Sequence, residues 1–150
     1  MHKPLLKKNF AAIVALLVAS FALPQQMYAQ DNYDMEIIGT RVNSLNCKDL
    51  STIDGVSGTV TFDPTTNTLT LENATIKTIV PECVGLESLI KDLTINVVGN
   101  NSITSESYWG LFNDKNCNIT IKGSGKLVVN GAISVLQEGF RRAIFNLGTI

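Results

Sequence analysis

Within GVSGTVTFDPTTNTLTLENATI (residues 55–76) apolar and polar positions alternate. Val60 and Phe62 interleave with Thr59 and Thr61, and Leu69 and Leu71 interleave with Thr68 and Thr70. A period of two marks a strand with one buried face. Asp63-Pro64 starts a turn between the runs, because Pro presets the backbone of a first corner and Asp bonds back to the chain. Asn67 tolerates a left-handed conformation on the far side. The stretch predicts a β-hairpin. Upstream, DNYDMEIIGTRVNS predicts a second strand pair around Gly39-Thr40, and LNCKDLSTIDG between the two reads as a polar loop.

Downstream the pattern recurs. LTLENATI begins at Leu69, LTINVVGNNSI at Leu93 and ITIKGSGKLVV at Ile119, at nearly constant intervals. Each opens apolar-Thr-apolar, meets a Gly or Asn corner, and resumes at Ile76, Ile103 or Leu127. Between these units lies a second shared element, Val84-Gly85-Leu86 and then Trp109-Gly110-Leu111-Phe112. Recurrence at such a period is the mark of a solenoid. A hairpin at Gly99 would impose no period, whereas a coil returns equivalent residues to equivalent places. The expected fold is therefore all-β: a right-handed parallel β-helix of about three coils with an N-terminal hairpin cap, in preference to an antiparallel sandwich. Helical patterning is confined to ISVLQEGFRRAIF (133–145), apart from the N-terminal apolar run.

The motif order in 55–76, DLTINVVGNNSIT (92–104) and NITIKGSGKLVV (118–129) resembles a family of secreted bacterial β-helix repeat proteins. That family is similar in turn to polysaccharide-binding right-handed β-helices of pectate-lyase-like shape. The resemblance spans about residues 33–131 and implies the fold more firmly than the activity. Family members carry more coils. Here AISVLQEGFRRAIFNLGTI, after Gly131, loses the strand rhythm. It is expected either to cap the last coil, with Phe140, Ile144 and Phe145 on one apolar face and Arg141 and Arg142 outward, or to mark a truncated stack.

Ahead of the strands, Lys3, Lys7 and Lys8 precede an apolar run from Phe10 to Leu23, with Pro24 and Ala29-Gln30 following. The run is short for a bilayer span. It predicts a secretory signal peptide over residues 1–29, although Met27 sits where a small residue is preferred. The remaining organisation is an N-terminal cap and hairpin (30–68), coils (69–131) and a tail (132–150). From Gln30 onward acidic residues outnumber basic ones, since Lys3, Lys7 and Lys8 leave with the signal segment. That balance gives no reason to expect nucleic acid or an anionic membrane as partner. The only histidine, His2, also lies in that segment, so histidine-dependent nucleophile activation and histidine zinc sites are excluded from the mature chain. An exported chain could form one disulfide from Cys47, Cys83 and Cys117, but they lie too far apart in sequence for any metal motif, and small buried residues are the simpler expectation.

Candidate chemistry is sparse. SESYWGLFNDKN (105–116) holds the sole tryptophan and an aromatic cluster beside amides, so Tyr108, Trp109, Phe112 and Asn113 are the candidate sugar-binding residues. If Leu111 points inward, alternation sends Phe112 outward and turns Trp109 inward. Core or edge packing is the competing explanation for each. Asp92 and Asp114, separated by nearly one period, would approach one another on adjacent coils and form a weak Ca²⁺ site, against the simpler view of solvated turn acids. A polysaccharide lyase would need such a calcium and a base, and only Lys91 or Lys115 is offered, since no arginine lies between Arg41 and Arg141. Asn73, Asn100 and Asn118 match the glycosylation acceptor pattern but sit at corners or strand starts, where a turn role suffices. The sequence thus predicts a non-catalytic carbohydrate-binding module, secreted to the periplasm, cell surface or medium, with a polysaccharide as partner and no cofactor. The alternatives are an adhesive or structural module that self-associates through an open coil end, and, more remotely, a Ca²⁺-dependent lyase.

Overall fold

The computed structural model describes residues 30–132 and 143–150. The signal-peptide reading, and the placement of Phe140, Arg141 and Arg142, therefore fall outside the described residues. Strands β1 (Asn32–Ile37) and β2 (Thr40–Asn43) form the expected antiparallel hairpin. Its turn takes positive φ at both Ile38 (50°) and Gly39 (69°), as a tight hairpin loop requires. Left-handed backbone is costly for a β-branched residue. At Ile38 the cost is offset by burial of the side chain and by an N–H bond to the Gly85 carbonyl (3.1 Å). The polar loop that follows contains one short 3₁₀ turn, Leu50–Thr52, capped by the Asp49 carboxylate.

The second hairpin joins β3 (Val56–Asp63) to β4 (Thr68–Lys77). Its corner is built as the sequence predicts. Asp63 accepts from the Thr65 N–H (2.9 Å) and the Thr66 hydroxyl (2.8 Å), and Asn67 has φ 49°.

Beyond β4 the pairing becomes parallel, apart from β5, which also pairs antiparallel with β1. The strands are β5 (Leu86–Ser88), β6 (Asp92–Val98), β7 (Asn100–Thr104), β8 (Leu111–Asn113), β9 (Asn118–Gly123), β10 (Lys126–Asn130) and β11 (Ile144–Asn146). The first half of β4 pairs with β6, and β6 with β9. The second half of β4 pairs with β7, and β7 with β10. β5 pairs with β8, and β8 with β11. One sheet runs β10-β7-β4-β6-β9 and curls into a half-barrel; the other runs β11-β8-β5-β1-β2. No hairpin forms at Gly99, because β6 and β7 each pair with strands from other passes. Leu93 faces Ile119 in parallel register.

The first return differs from the sequence expectation. Leu69 faces Ile95, not Leu93, so that return is longer than the motif starts imply and equals the next one, from Leu93 to Ile119. An offset of two leaves every side chain on its expected face, which is why alternation alone could not detect it.

Inward positions form a continuous apolar interior that includes Leu69, Leu71, Ile76, Leu86, Leu93, Ile95, Ile103 and Leu111, each at most 1% exposed. At the last strands this interior opens. Ile121 stands in register with Ile95 yet is 39% exposed, and Ile144 stands in register with Leu111 yet is 37% exposed. Ile144 and Phe145, the end of the segment with helical patterning, instead extend the β8 edge with Asn146 as β11. Neighbouring strand residues point to opposite faces, so Ile144 and Phe145 do not share the apolar face expected of them.

Buried polar side chains tie the passes together. Asn101 is 3% exposed, and its Oδ1 accepts from the Ala74 N–H (2.8 Å). Its Nδ2 donates to the carbonyls of Val98 (3.0 Å) and Lys126 (3.3 Å). At the neighbouring corner Asn73 (φ 47°) accepts from the Asn100 N–H (3.2 Å). A Cβ at Gly99, where φ is +67°, would lie 2.2 Å from that Asn73 oxygen, so the corner needs glycine. Asn118 donates to Asp92 (2.9 Å). Two of the three candidate acceptor asparagines thus have bonded side chains, in keeping with a turn role.

Asn101→Ala strands one buried donor and removes this amide from the carbonyls of Val98, Gly99 and Lys126, and should cost about 2–3 kcal/mol. Thr120→Ala, at an exposed position, should stay within about 0.5 kcal/mol of the parent. Urea denaturation followed by circular dichroism measures both, and an Asn101→Ala midpoint equal to the parent's would refute the role given to this amide.

Candidate functional site: an aromatic and acidic cleft

The outer face of the second sheet carries one row of side chains drawn from all five strands. Arg41 of β2 faces Glu36 of β1, Glu36 faces Glu87 of β5, Glu87 faces Phe112 of β8, and Phe112 faces Phe145 of β11. Phe112 points outward because its neighbours Leu111 and Asn113 are wholly buried. Against this row pack two connections. One supplies Glu82, Cys83 and Val84, the other Tyr108 and Trp109, and together they enclose an open cleft of about 290 Å³.

The connections are fixed to each other by hydrogen bonds. The Ser105 hydroxyl donates to the Cys83 carbonyl (2.7 Å) and accepts from the Tyr108 N–H (2.9 Å). The Gly85 N–H donates to the Trp109 carbonyl (3.1 Å), and the Glu82 N–H to the Ser107 hydroxyl (2.8 Å). A Cβ at Gly85 would meet the Gly110 carbonyl at 2.6 Å, so the two shared glycines of the repeat allow these passes to lie close.

One wall is aromatic. Trp109 stacks on Phe145 (4.4 Å between centroids, 12°) and on Phe112 (5.4 Å, 19°), and Tyr108 tilts against it at 4.4 Å. The cleft is also acidic, lined by Glu36, Glu82 and Glu87, of which Glu87 lies beside Phe112 in the row. Arg41 bonds Glu36 at 2.6 Å. Partial burial pushes the Glu87 carboxyl above its ordinary value, the charges of Glu36 and Asp114 push it further, and Arg41 opposes them.

Three of the four sequence-predicted sugar-binding residues, Tyr108, Trp109 and Phe112, therefore line one cleft. Trp109 does not turn into the interior as alternation suggested, because it lies before β8, on the connection, and stacks on the outward Phe112. Asn113 is the exception. It is fully buried, and its Nδ2 donates to the Cys117 carbonyl (3.0 Å) and to Asn146 (2.7 Å), so it braces the interior and does not line the cleft.

Asp92 and Asp114 are not equivalent positions on successive strands. Asp92 faces Asn118, while the Asp114 N–H bonds the Ser88 carbonyl after β8. The length of a return is set by Leu86 facing Leu111 and Leu93 facing Ile119, and Asp114 falls short of one full return from Asp92. Two carboxylates also fall short of the six to eight oxygens that calcium takes, and the described residues hold no cluster of three or more metal-binding side chains. The proposed calcium site does not fit. Lys91 and Lys115 are exposed and do not line the cleft. All three cysteines are free thiols, and burial raises the Cys117 thiol, with Asp114, Asp34 and Asp92 adding to the effect.

Sequence reasoning missed the acidic side. A signal for Glu87 was present: it follows Gly85-Leu86 as Phe112 follows Gly110-Leu111, so superposing those elements places one over the other. Glu36 comes from an antiparallel strand outside the repeat and left no such trace.

No family model, no curated protein and no solved structure matches the chain. Inference about function therefore rests on the geometry of the cleft.

The sign of the Glu87 effect is open to test. Its folded-state pKa is raised, so the folded state holds this proton more tightly than the unfolded chain does. Stability from this group falls as pH rises from the ordinary glutamate range through the raised value. Glu87→Gln should be more stable than the parent at pH 7, with the difference shrinking below about pH 4. Urea midpoints at the two pH values give the comparison.

Proposed function

We propose that the protein is a secreted, non-catalytic carbohydrate-binding module, and that its half-barrel is part of a right-handed parallel β-helix. The winding is supported by the three parallel ladders, which the chain visits in a fixed order with returns of nearly equal length, as when Leu86 faces Leu111 and Thr75 faces Ser102. The resemblance in motif order points the same way.

One observation carries the functional reading: the aromatic side chains of Tyr108, Trp109 and Phe112 and the carboxylates of Glu36, Glu82 and Glu87 line one cleft together. Aromatic faces stack on the C–H faces of sugar rings, and carboxylates accept from ring hydroxyls. The cleft volume lies at the small end of ligand pockets, ~300–1,000 Å³. It suits one sugar unit of a longer chain. The strands and braced connections hold the wall in place before any ligand arrives, which lowers the ordering cost of binding.

An adhesive module is the second reading, favoured by the exposed Ile121 and Ile144 at the edge that β9, β10 and β11 form among the described residues. Strand edges of this kind pair readily with other chains.

Trp109 is the only tryptophan, so its fluorescence reports directly on the cleft. A soluble polysaccharide panel should contain ligands that shift this emission saturably. Tyr108→Ala and Trp109→Ala, the latter followed calorimetrically, should weaken binding by roughly tenfold. Unchanged affinity in both folded variants removes the site. Self-association that rises with concentration in sedimentation, and disappears in Ile121→Lys, would favour the adhesive module instead. Release of unsaturated sugar products would reinstate the lyase.

A further inference from the structure

The charge arrangement in the cleft is unusual for a site that takes a neutral ligand. Glu36 and Glu87 lie directly opposite each other on paired strands. Like charges in that relation destabilise a sheet. Arg41 is bonded to Glu36 and lies on its far side in the row, away from Glu87. Glu82 adds a third carboxylate from another element, and among the described residues no lysine or arginine lines the cleft. The aromatic wall contributes the same sign, since the faces of Trp109 and Tyr108 carry the negative part of the ring quadrupole. Apart from Arg41 at the end of the row, the charges and rings that line the cavity therefore favour a cation, beside aromatic side chains that border the same space.

We infer that the cleft selects a positively charged sugar: a protonated amino-sugar unit within a de-N-acetylated polysaccharide. This rests on the carbohydrate-binding reading and narrows it. The ammonium group would relieve the repulsion between Glu36 and Glu87, and the sugar ring would lie on the aromatic wall. An uronate polymer is disfavoured, because its carboxylates would meet three of their own kind. A neutral or N-acetylated sugar gains the stacking but brings no positive charge to the glutamate pair beyond that of Arg41.

The test titrates Trp109 fluorescence at about pH 6, to keep the sugar amino groups largely protonated, with three oligosaccharides of equal length. These are glucosamine, N-acetylglucosamine and galacturonate oligomers. The glucosamine oligomer should bind about tenfold more tightly than its N-acetylated counterpart. The galacturonate oligomer should bind more weakly than either, and added salt should erode the preference. Glu87→Gln should shrink the ratio between the amino and N-acetylated ligands, and Glu82→Gln provides the same readout from a residue outside the sheet. Equal affinities, or a preference for the uronate, would overturn the cationic assignment while leaving a carbohydrate site standing. No binding of any oligomer, charged or neutral, would overturn both.

Discussion

The position of Asn101 governs how the rest of the chain can lie. Its one amide group bonds backbone belonging to β4, to the corner after β6, and to β10. These belong to three successive passes, so the side chain fixes both their spacing and their register. An apolar residue there would leave the Ala74 N–H buried without a partner. The corner is over-determined by its neighbours, since Asn73 and Gly99 both need left-handed backbone and lie in close contact. With the corner held, the return from Leu69 to Ile95 and the return from Leu93 to Ile119 come out equal. A slip of one position would turn every inward leucine and isoleucine toward water.

The cleft inherits its order from that register. The row Arg41, Glu36, Glu87, Phe112, Phe145 exists because five strands are aligned position for position. Three of its members come from the repeating passes and two from the N-terminal hairpin. The hairpin strands thus complete the cleft as well as covering an edge. The same surface contains an arrangement that works against stability, two opposed glutamates beside an apolar wall. Titration anomalies of this kind gather at functional sites.

Much of the fold was legible in the residues. Both hairpins follow from alternation interrupted by turn chemistry, at Asp63-Pro64 and around Gly39, and the parallel return of Leu93 onto Ile119 follows from the period. What escaped has physical causes. The first return was read short, ending at Leu93 instead of Ile95, because alternation is blind to even shifts. Asn113 looked like a surface amide because a buried amide and an exposed one are identical in sequence, and only its bonds to Cys117 and Asn146 distinguish them. The Asp92–Asp114 pair failed on register as well. Ile144 and Phe145 fall in a segment with helical patterning but form a strand, since the edge of β8 offers hydrogen bonds that a local propensity cannot outweigh. Half of the candidate site, its aromatic wall, lay in one contiguous segment and was visible. The acidic half is assembled from β1, β5 and a connection, and contacts made across sequence leave little mark in it.

Under the proposed function, shape and ligand chemistry part company. A resemblance to pectate-lyase-like folds, taken alone, would suggest acidic polysaccharides, which such surfaces meet with cations. Here the candidate calcium pair is out of register and the cleft itself is lined by carboxylates. The backbone winding is set by inward residues and corners, whereas the charge of the outer row is set by residues such as Glu36 and Glu87 that the interior never contacts. Those two sets can change independently, because alternate positions on a strand answer to different surroundings. A stack of this kind can therefore keep its interior and invert the sign of what it binds, and it is the outer row, not the architecture, that has to be read to know which ligand it takes.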